Sequence, residues 1–129
     1  MENDVPLQNQ GPVIDLAHLS RMTGGDASLA EEVLGLFREQ CDLWTRLLEP
    51  QTPTPDWGDA AHTIKGSARG IGAWRLGDLC GKAEEEARAE TVTRAGKHAW
   101  REDILIELDR VLAEISRLDY KAKIAALRG

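Results

Sequence analysis

Aromatic residues are scarce in this chain of 129 residues: one Phe, one Tyr and four Trp, 5% in all. Cysteine is scarcer, with Cys41 and Cys80 far apart in sequence. No CxxC and no paired His/Cys spacing marks a zinc site. Each cysteine falls at an apolar phase of a helical pattern, so both are expected to be reduced core residues of a cytosolic protein. No apolar run approaches the roughly 18 residues of a spanning helix, and no apolar N-terminal segment resembles a signal peptide. An integral membrane protein and a secreted mini-protein are therefore disfavoured. Positive charge is in deficit: 16 Lys plus Arg against 22 Asp plus Glu give a net charge of −6. Nucleic acid wants a broad cationic footprint and is disfavoured as a partner. No segment of useful length alternates with period two, so no strand is expected.

What is present is ordinary for a globular chain, with 42% apolar and 29% charged residues. At roughly 100–200 residues per domain the length allows one domain. A chain of this size buries about two-thirds of its extended surface, so it needs neither disulfide nor metal for stability.

Residues 1–12 hold Pro6, Gly11 and Pro12 among Asn and Gln without periodicity, and read as a flexible tail. The domain is expected over 13–129. A short helix fits Asp15 to Met22, with Leu16 and Leu19 inward and Thr23-Gly24-Gly25 closing it. Asp26 is a good N-cap for a helix of about 22 residues. Its stripe, Leu29, Val33, Leu36, Gln40, Leu43 and Leu47, is spaced 4-3-4-3-4 and is predicted to face the core, widened by Phe37, Trp44 and Leu48. Pro53 and Pro55 turn the chain, and Asp56 can cap a third helix reaching about Ile71. A fourth helix is predicted from about Ala73 to Glu90, with Leu76, Cys80, Ala83 and Ala87 on one line. In the last and longest, Ile104, Leu108, Val111, Ile115, Leu118, Ala122 and Ala125 repeat at bundle spacing. The expectation is an all-α, up-down antiparallel four-helix bundle with a short extra N-terminal helix.

The third helix is unusual. With His62 at zero on a helical wheel, Trp57, Ala60, Ala61, Ile64, Ala68 and Ile71 fall between about 160° and 260°, which is the core arc. His62 points the other way, with Asp59, Lys65, Gly66, Arg69 and Gly70 on its side. Gly66 and Gly70 each cost roughly 1 kcal/mol relative to Ala in a helix. Facing outward, they bare the surface around the imidazole, although close helix packing is a second reason for such glycines. Lys65 at i+3 and Arg69 at i+7 add positive charge. An exposed imidazole with cations beside it suits a group that carries negative charge and is approached by another macromolecule. Imidazole, with an ordinary pKa of about 6.5, offers a neutral nitrogen lone pair near neutral pH. On the fourth helix Glu84 falls beside the core stripe, at the seam between helices, where a carboxylate can reach the other ring nitrogen and fix its tautomer. Gly77 and Gly81 share that side and are expected to keep the surface low.

His62-Thr63-Ile64-Lys65-Gly66-Ser67, then Gly72-Ala73, Leu76, Cys80 and Glu84, resembles the histidine-containing phosphotransfer (HPt) domain of bacterial two-component phosphorelays. The close match covers about 23 residues, and the helix layout extends it over most of 13–120. The resemblance implies that His62 is the phosphoacceptor, that Lys65 steadies the phosphoryl oxygens, that Gly66 admits the partner and that Glu84 holds the imidazole. Ala83 departs from the apolar residue often found before the carboxylate, and Glu85 and Glu86 follow, so the sequence leaves open which glutamate meets His62. The implied partners are receiver domains of response regulators and of a hybrid histidine kinase. The implied protein is a stoichiometric carrier without ATP-dependent kinase activity and with no cofactor of its own, Mg²⁺ being expected on the receiver. Asp59, Gly66, Arg69, Gly70, Arg75, Gly77 and Gly81 are the candidate partner-binding residues. No phosphate loop or dinucleotide fingerprint is present.

Plainer readings stand beside these. Arg69, Arg75 and Lys82 fit a solvated charged face as well as a steering patch. His18 and His98 lack such neighbours and read as surface residues. Trp44, Trp57, Trp74 and Trp100 read as core or boundary anchors, with Trp74 also admissible to a docking surface. A monomer is expected, with dimerisation through the last helix the other use of its apolar line. A receiver-binding adaptor that performs no chemistry, and an enzyme using His62 as general base, are the competing functions; the second needs a concave pocket.

Overall fold

The computed structural model describes residues 11–128. The chain forms five helices and, among the described residues, no strand: α1 (Leu16–Met22), α2 (Ala27–Leu47), α3 (Thr54–Gly70), α4 (Trp74–Arg88) and α5 (Arg94–Arg128). The expected all-helical bundle is what forms. Residues 1–10 of the expected tail lie outside the described residues, and none of the helices is long and apolar enough to cross a membrane.

Side-chain oxygens start the first two helices. Asp15 accepts from the His18 amide and Asp26 from the Leu29 amide, satisfying donors that have no partner within the helix. The third differs from expectation. Its N-cap is Pro53, without a side-chain cap, and Asp56 lies within the first turn. Pro55 supplies the reason: a proline at the start of a helix fits where no backbone N–H is required, so the helix begins two residues before the acidic side chain.

All six residues of the predicted core arc of α3 are buried, as are Leu76, Cys80, Ala83 and Ala87 of α4 and Ile104, Leu108, Val111 and Ile115 of α5. The Trp57 indole donates to the Leu48 carbonyl at 2.8 Å, fixing the start of α3 against the end of α2. Burial raises the Cys41 thiol to about 11 and the Cys80 thiol to about 12, so both stay protonated.

Three stripes depart from prediction. In α2 the core takes Leu34, Phe37, Cys41, Trp44 and Leu48, while Leu29, Leu36, Leu43 and Leu47 stay exposed. The apolar arc of α2 is about half a cylinder wide. The bundle buries the edge bearing the two rings, which shed more apolar surface than leucines, and their edge-to-face contact at 5.3 Å is made there. Leu16 is exposed and only Leu19 of α1 faces inward. In α5, Ala122 and Ala125 are exposed: Ala122 borders an open depression with Leu16, Leu19 and Ala27, and the helix continues beyond it to Arg128.

The α1 end is tied to α4. Gly72, at φ +80°, brings its carbonyl to the Asp15 amide at 2.9 Å, and a Cβ there would lie 2.8 Å from the Asp15 carbonyl oxygen. Trp74 donates its indole N–H to Asp15 at 3.0 Å and meets the His18 ring edge-on at 4.6 Å. His18 is therefore half-buried rather than a surface residue, with Nε2 shielded from solvent.

α3 and α4 form the most extensive helix pair, and they run antiparallel. Gly58 makes that approach possible: a Cβ on it would lie 3.0 Å from the Ala87 Cβ. Around Gly66 and Gly70 the same added atom would meet nothing within 4 Å. The two kinds of glycine predict opposite responses in urea denaturation. Gly58→Val should destabilise by about 1–3 kcal/mol through overpacking, whereas Gly66→Ala should stabilise by about 0.5–1 kcal/mol.

Candidate functional site

Antiparallel pairing of α3 with α4 sets a simple register. Gly58 lies against Ala87, His62 against Glu84, Lys65 over Gly81 and Arg69 over Gly77. Each step of one turn along α3 is matched by a step back along α4. Register therefore answers which glutamate meets the histidine: Glu84 does, while Glu85 is turned out to solvent.

The Glu84 carboxylate is nearly buried, with 12% of its side chain exposed. Its Oε2 lies 2.8 Å from His62 Nδ1 and its Oε1 lies 2.6 Å from Lys65 Nζ. Arg88, one turn further along α4, brings Nη2 to 3.5 Å from the same Oε2 and donates to Asp59 Oδ1 at 2.9 Å. Burial acts to raise the Glu84 pKa, but the hydrogen bonds and charges of Lys65 and His62 outweigh it and hold the carboxyl below its usual range. Glu84 is then ionised at neutral pH and can only accept hydrogen bonds. Nδ1 of His62 must carry the proton it donates. In the neutral ring that leaves Nε2 with a free lone pair. The His62 side chain is 61% exposed, so Nε2 is the accessible nitrogen.

The surroundings of the ring are asymmetric. Gly66 and Gly70 open the α3 face beyond it. Toward α4, Gly77 and Gly81 do not leave bare ground: the stem of Arg69 lies where a Gly77 Cβ would be 3.0 Å from its Cγ, and the stem of Lys65 where a Gly81 Cβ would be 3.4 Å from its Cδ. The missing side chains of α4 are seats for two cations of α3, which lay their apolar stems down and keep their heads at the surface. Lys65, Arg69 and Arg88 thereby line one shallow depression with Glu84 and Gly81. Toward α2, Asp59 and Thr63 border a second depression with Leu43 and Leu47.

Asp59, His62, Lys65, Gly66, Arg69, Gly81 and Glu84 thus come together. Arg75 does not. It lies nine residues before Glu84, about half a turn out of phase on α4, and bonds Glu107 of α5 at 3.1 Å. Glu107 is buried and also takes Arg110 at 2.8 Å, so Arg75 belongs to the α4–α5 contact. Arg88 is the site residue that sequence reasoning missed. Its signal was the i+4 spacing from Glu84, overlooked because it lies outside the matched motif. Among the described residues, no group of three or more His, Cys, Asp or Glu is arranged to hold a metal ion.

A family model, Hpt domain, matches residues 28–118. The chain belongs to the Hpt domain family. It is a histidine phosphotransfer protein of the kind used in two-component phosphorelays. In structure this Hpt domain is similar to the crystal structure of the histidine phosphotransferase ShpA from Caulobacter crescentus. The TM-score is 0.68 and the identity 35%, over 90% of this chain and 99% of that one. A comparison with curated proteins gave no match.

The depressed pKa of Glu84 carries a pH dependence. A carboxyl whose folded pKa lies below its unfolded value stabilises the fold at neutral pH, and the contribution is lost as pH falls from the usual carboxylate range through the folded value. Glu84→Gln should therefore cost about 1–3 kcal/mol at pH 7. It should also flatten the fall of stability between about pH 5 and pH 3 relative to wild type, measured by urea denaturation across that range. Nitrogen NMR of the His62 ring should show the Nδ1–H tautomer lose its dominance in the same variant.

Proposed function

We propose that this Hpt domain carries a phosphoryl group on His62 Nε2 between aspartates of receiver domains, those of a hybrid histidine kinase and of a response regulator. One observation carries the reading: an exposed imidazole whose inner nitrogen is bonded at 2.8 Å to a nearly buried carboxylate, so that its outer lone pair faces a clearing made by Gly66 and Gly70. In the forward step the Nε2 lone pair attacks phosphorus of an aspartyl phosphate. The N–P bond forms as the O–P bond breaks, and the aspartate leaves as a carboxylate. Nδ1 keeps its proton throughout and Glu84 offsets the positive charge that develops on the ring. The return step reverses these bonds on a second receiver.

Phosphoryl transfer asks the protein mainly for positioning and charge neutralisation. Lys65, Arg69 and Arg88 supply the second need from one side of the ring. Lys65 is shared: one of its three N–H donors holds Glu84 at 2.6 Å, which leaves two for phosphoryl oxygens. The receiver brings Mg²⁺; the Hpt chain contributes no cofactor, uses no ATP and acts as a stoichiometric carrier in the cytoplasm. Gly66, Gly70 and Asp59 border the surface a receiver covers.

Incubation with a phosphorylated receiver, followed by separation of the labelled proteins, tests the reading. Wild type should take up acid-labile phosphate and His62→Gln none, with receiver binding retained and stability within about 0.5 kcal/mol because the ring is exposed. Label appearing on His62→Gln overturns the assignment. Gly66→Arg should fold normally and transfer poorly, since its side chain fills the clearing. Unchanged transfer in that variant contradicts the role given to the open surface.

A further inference from the structure

A groove of about 570 Å³ lies between the first half of α2 and the later part of α5, bordered by α1. Its walls are mainly apolar, with Leu16 and Leu19 of α1, Ala30 and Leu34 of α2, and Leu118 and Ala122 of α5. It is separate from the phosphotransfer site, since none of its lining residues borders the depressions beside His62. Leu16 is 48% exposed, so apolar surface from three helices meets water here. Covering such ground is favourable.

The chain itself holds a segment of suitable length and chemistry. Residues 1–10 precede the described residues, and within them Val5, Pro6 and Leu7 form a short apolar run after Asp4. The described chain starts at Gly11, five residues before Leu16 of the groove. Gly11 has φ +81°, in the left-handed region that glycine enters freely and that chain reversals use. A reversal centred between Gly11 and Pro12 sets Leu7 opposite Leu16.

Direction follows from this tether. Lys97 reaches the Thr52 carbonyl and Arg101 that of Thr45, so α5 runs antiparallel to α2. Ala27 and Ala122 therefore share the end of the groove near α1, and Arg38 marks the other end. Arg38 lies 11 residues beyond Ala27, about 16 Å along the helix. From Leu7 to Asp4 an extended segment spans about 10 Å, and the long Arg38 side chain bridges the remainder. In that form Val5 and Leu7 share one face, toward the groove, while Asp4 faces outward with Pro6.

Charge agrees with this direction. Arg38 is exposed and has no ion-pair partner among the described residues. Of the two acids bordering the groove, Asp119 is paired with Lys123 at 3.0 Å. Glu31 is not paired, and it repels Asp4 at any position short of Arg38. We propose that residues 4–7 occupy this groove as an internal ligand, with Val5 and Leu7 on its apolar walls and the Asp4 carboxylate on Arg38. The proposal is independent of the phosphoryl chemistry at His62.

NOE spectroscopy on the full chain, with Ala, Leu and Val methyl groups labelled, tests it. The Leu7 methyls should show contacts to those of Leu118 and Ala122. Leu7→Asp should abolish them, shift the Leu34 and Leu118 signals and lower the melting temperature by about 3–5 °C, with helix content unchanged. Arg38→Glu should weaken the contacts, and the double variant Asp4→Arg/Arg38→Glu should restore them. A wild type without Leu7 contacts in the groove overturns the proposal. So do contacts that join differently labelled copies in a mixed sample, since a second copy then supplies the segment. Failure of the double charge exchange to restore the contacts overturns the pairing of Asp4 with Arg38.

Discussion

The site depends on one buried carboxylate. Glu84 is ionised although it lies between two packed helices, an arrangement that is costly unless cations and donors surround the charge. Lys65, His62 and Arg88 do so from three directions. Each partner gains a fixed position in return. The imidazole is held by its inner nitrogen with its outer one free, the Lys65 ammonium is brought beside it, and Arg88 is stretched between Glu84 and Asp59. The tautomer of the imidazole follows from the charge state of one neighbour.

Glycine makes this arrangement possible in two distinct ways. Gly58 lets α3 and α4 approach closely, and that closeness places Glu84 within reach of His62. Gly77 and Gly81 receive the stems of Arg69 and Lys65, so both cations lie across α4, and Lys65 reaches the carboxylate. Gly66 and Gly70 meet nothing, and their contribution is the open ground beside the ring. The energetic signs differ accordingly. A side chain is excluded at the first position by packing and is missing at Gly66 at some cost in helix stability.

Much of α3 and α4 was legible in the sequence because both helices have a narrow apolar line. With only one line available, the wheel had one solution: His62 outward, Ile64 and Ala68 inward, and Glu84 beside the seam. The second helix misled for the opposite reason. Its apolar arc spans about half the cylinder, and periodicity cannot tell which edge of so wide an arc the bundle will cover. The regular leucine spacing pointed to the wrong edge, and the two rings of Phe37 and Trp44 decided in favour of the other. Arg75 shows a related limit. A cation near the motif in sequence was half a turn from it in space, and its partner Glu107 came from a helix more than thirty positions later.

By itself the sequence determined the helices, the outward histidine with its bare neighbours, and the family motif, because all of these rest on local periodicity and on residue chemistry within a few turns. Tertiary structure alone decided that Glu84 rather than Glu85 or Glu86 holds the ring, that Arg88 completes the cluster, that Gly77 and Gly81 are seats for cation stems, and that a leucine seam on α2 was left facing outward. Those outcomes depend on how two helices are shifted along and rotated against each other. That relative placement is fixed by the whole core at once and leaves no mark in the local pattern of either helix.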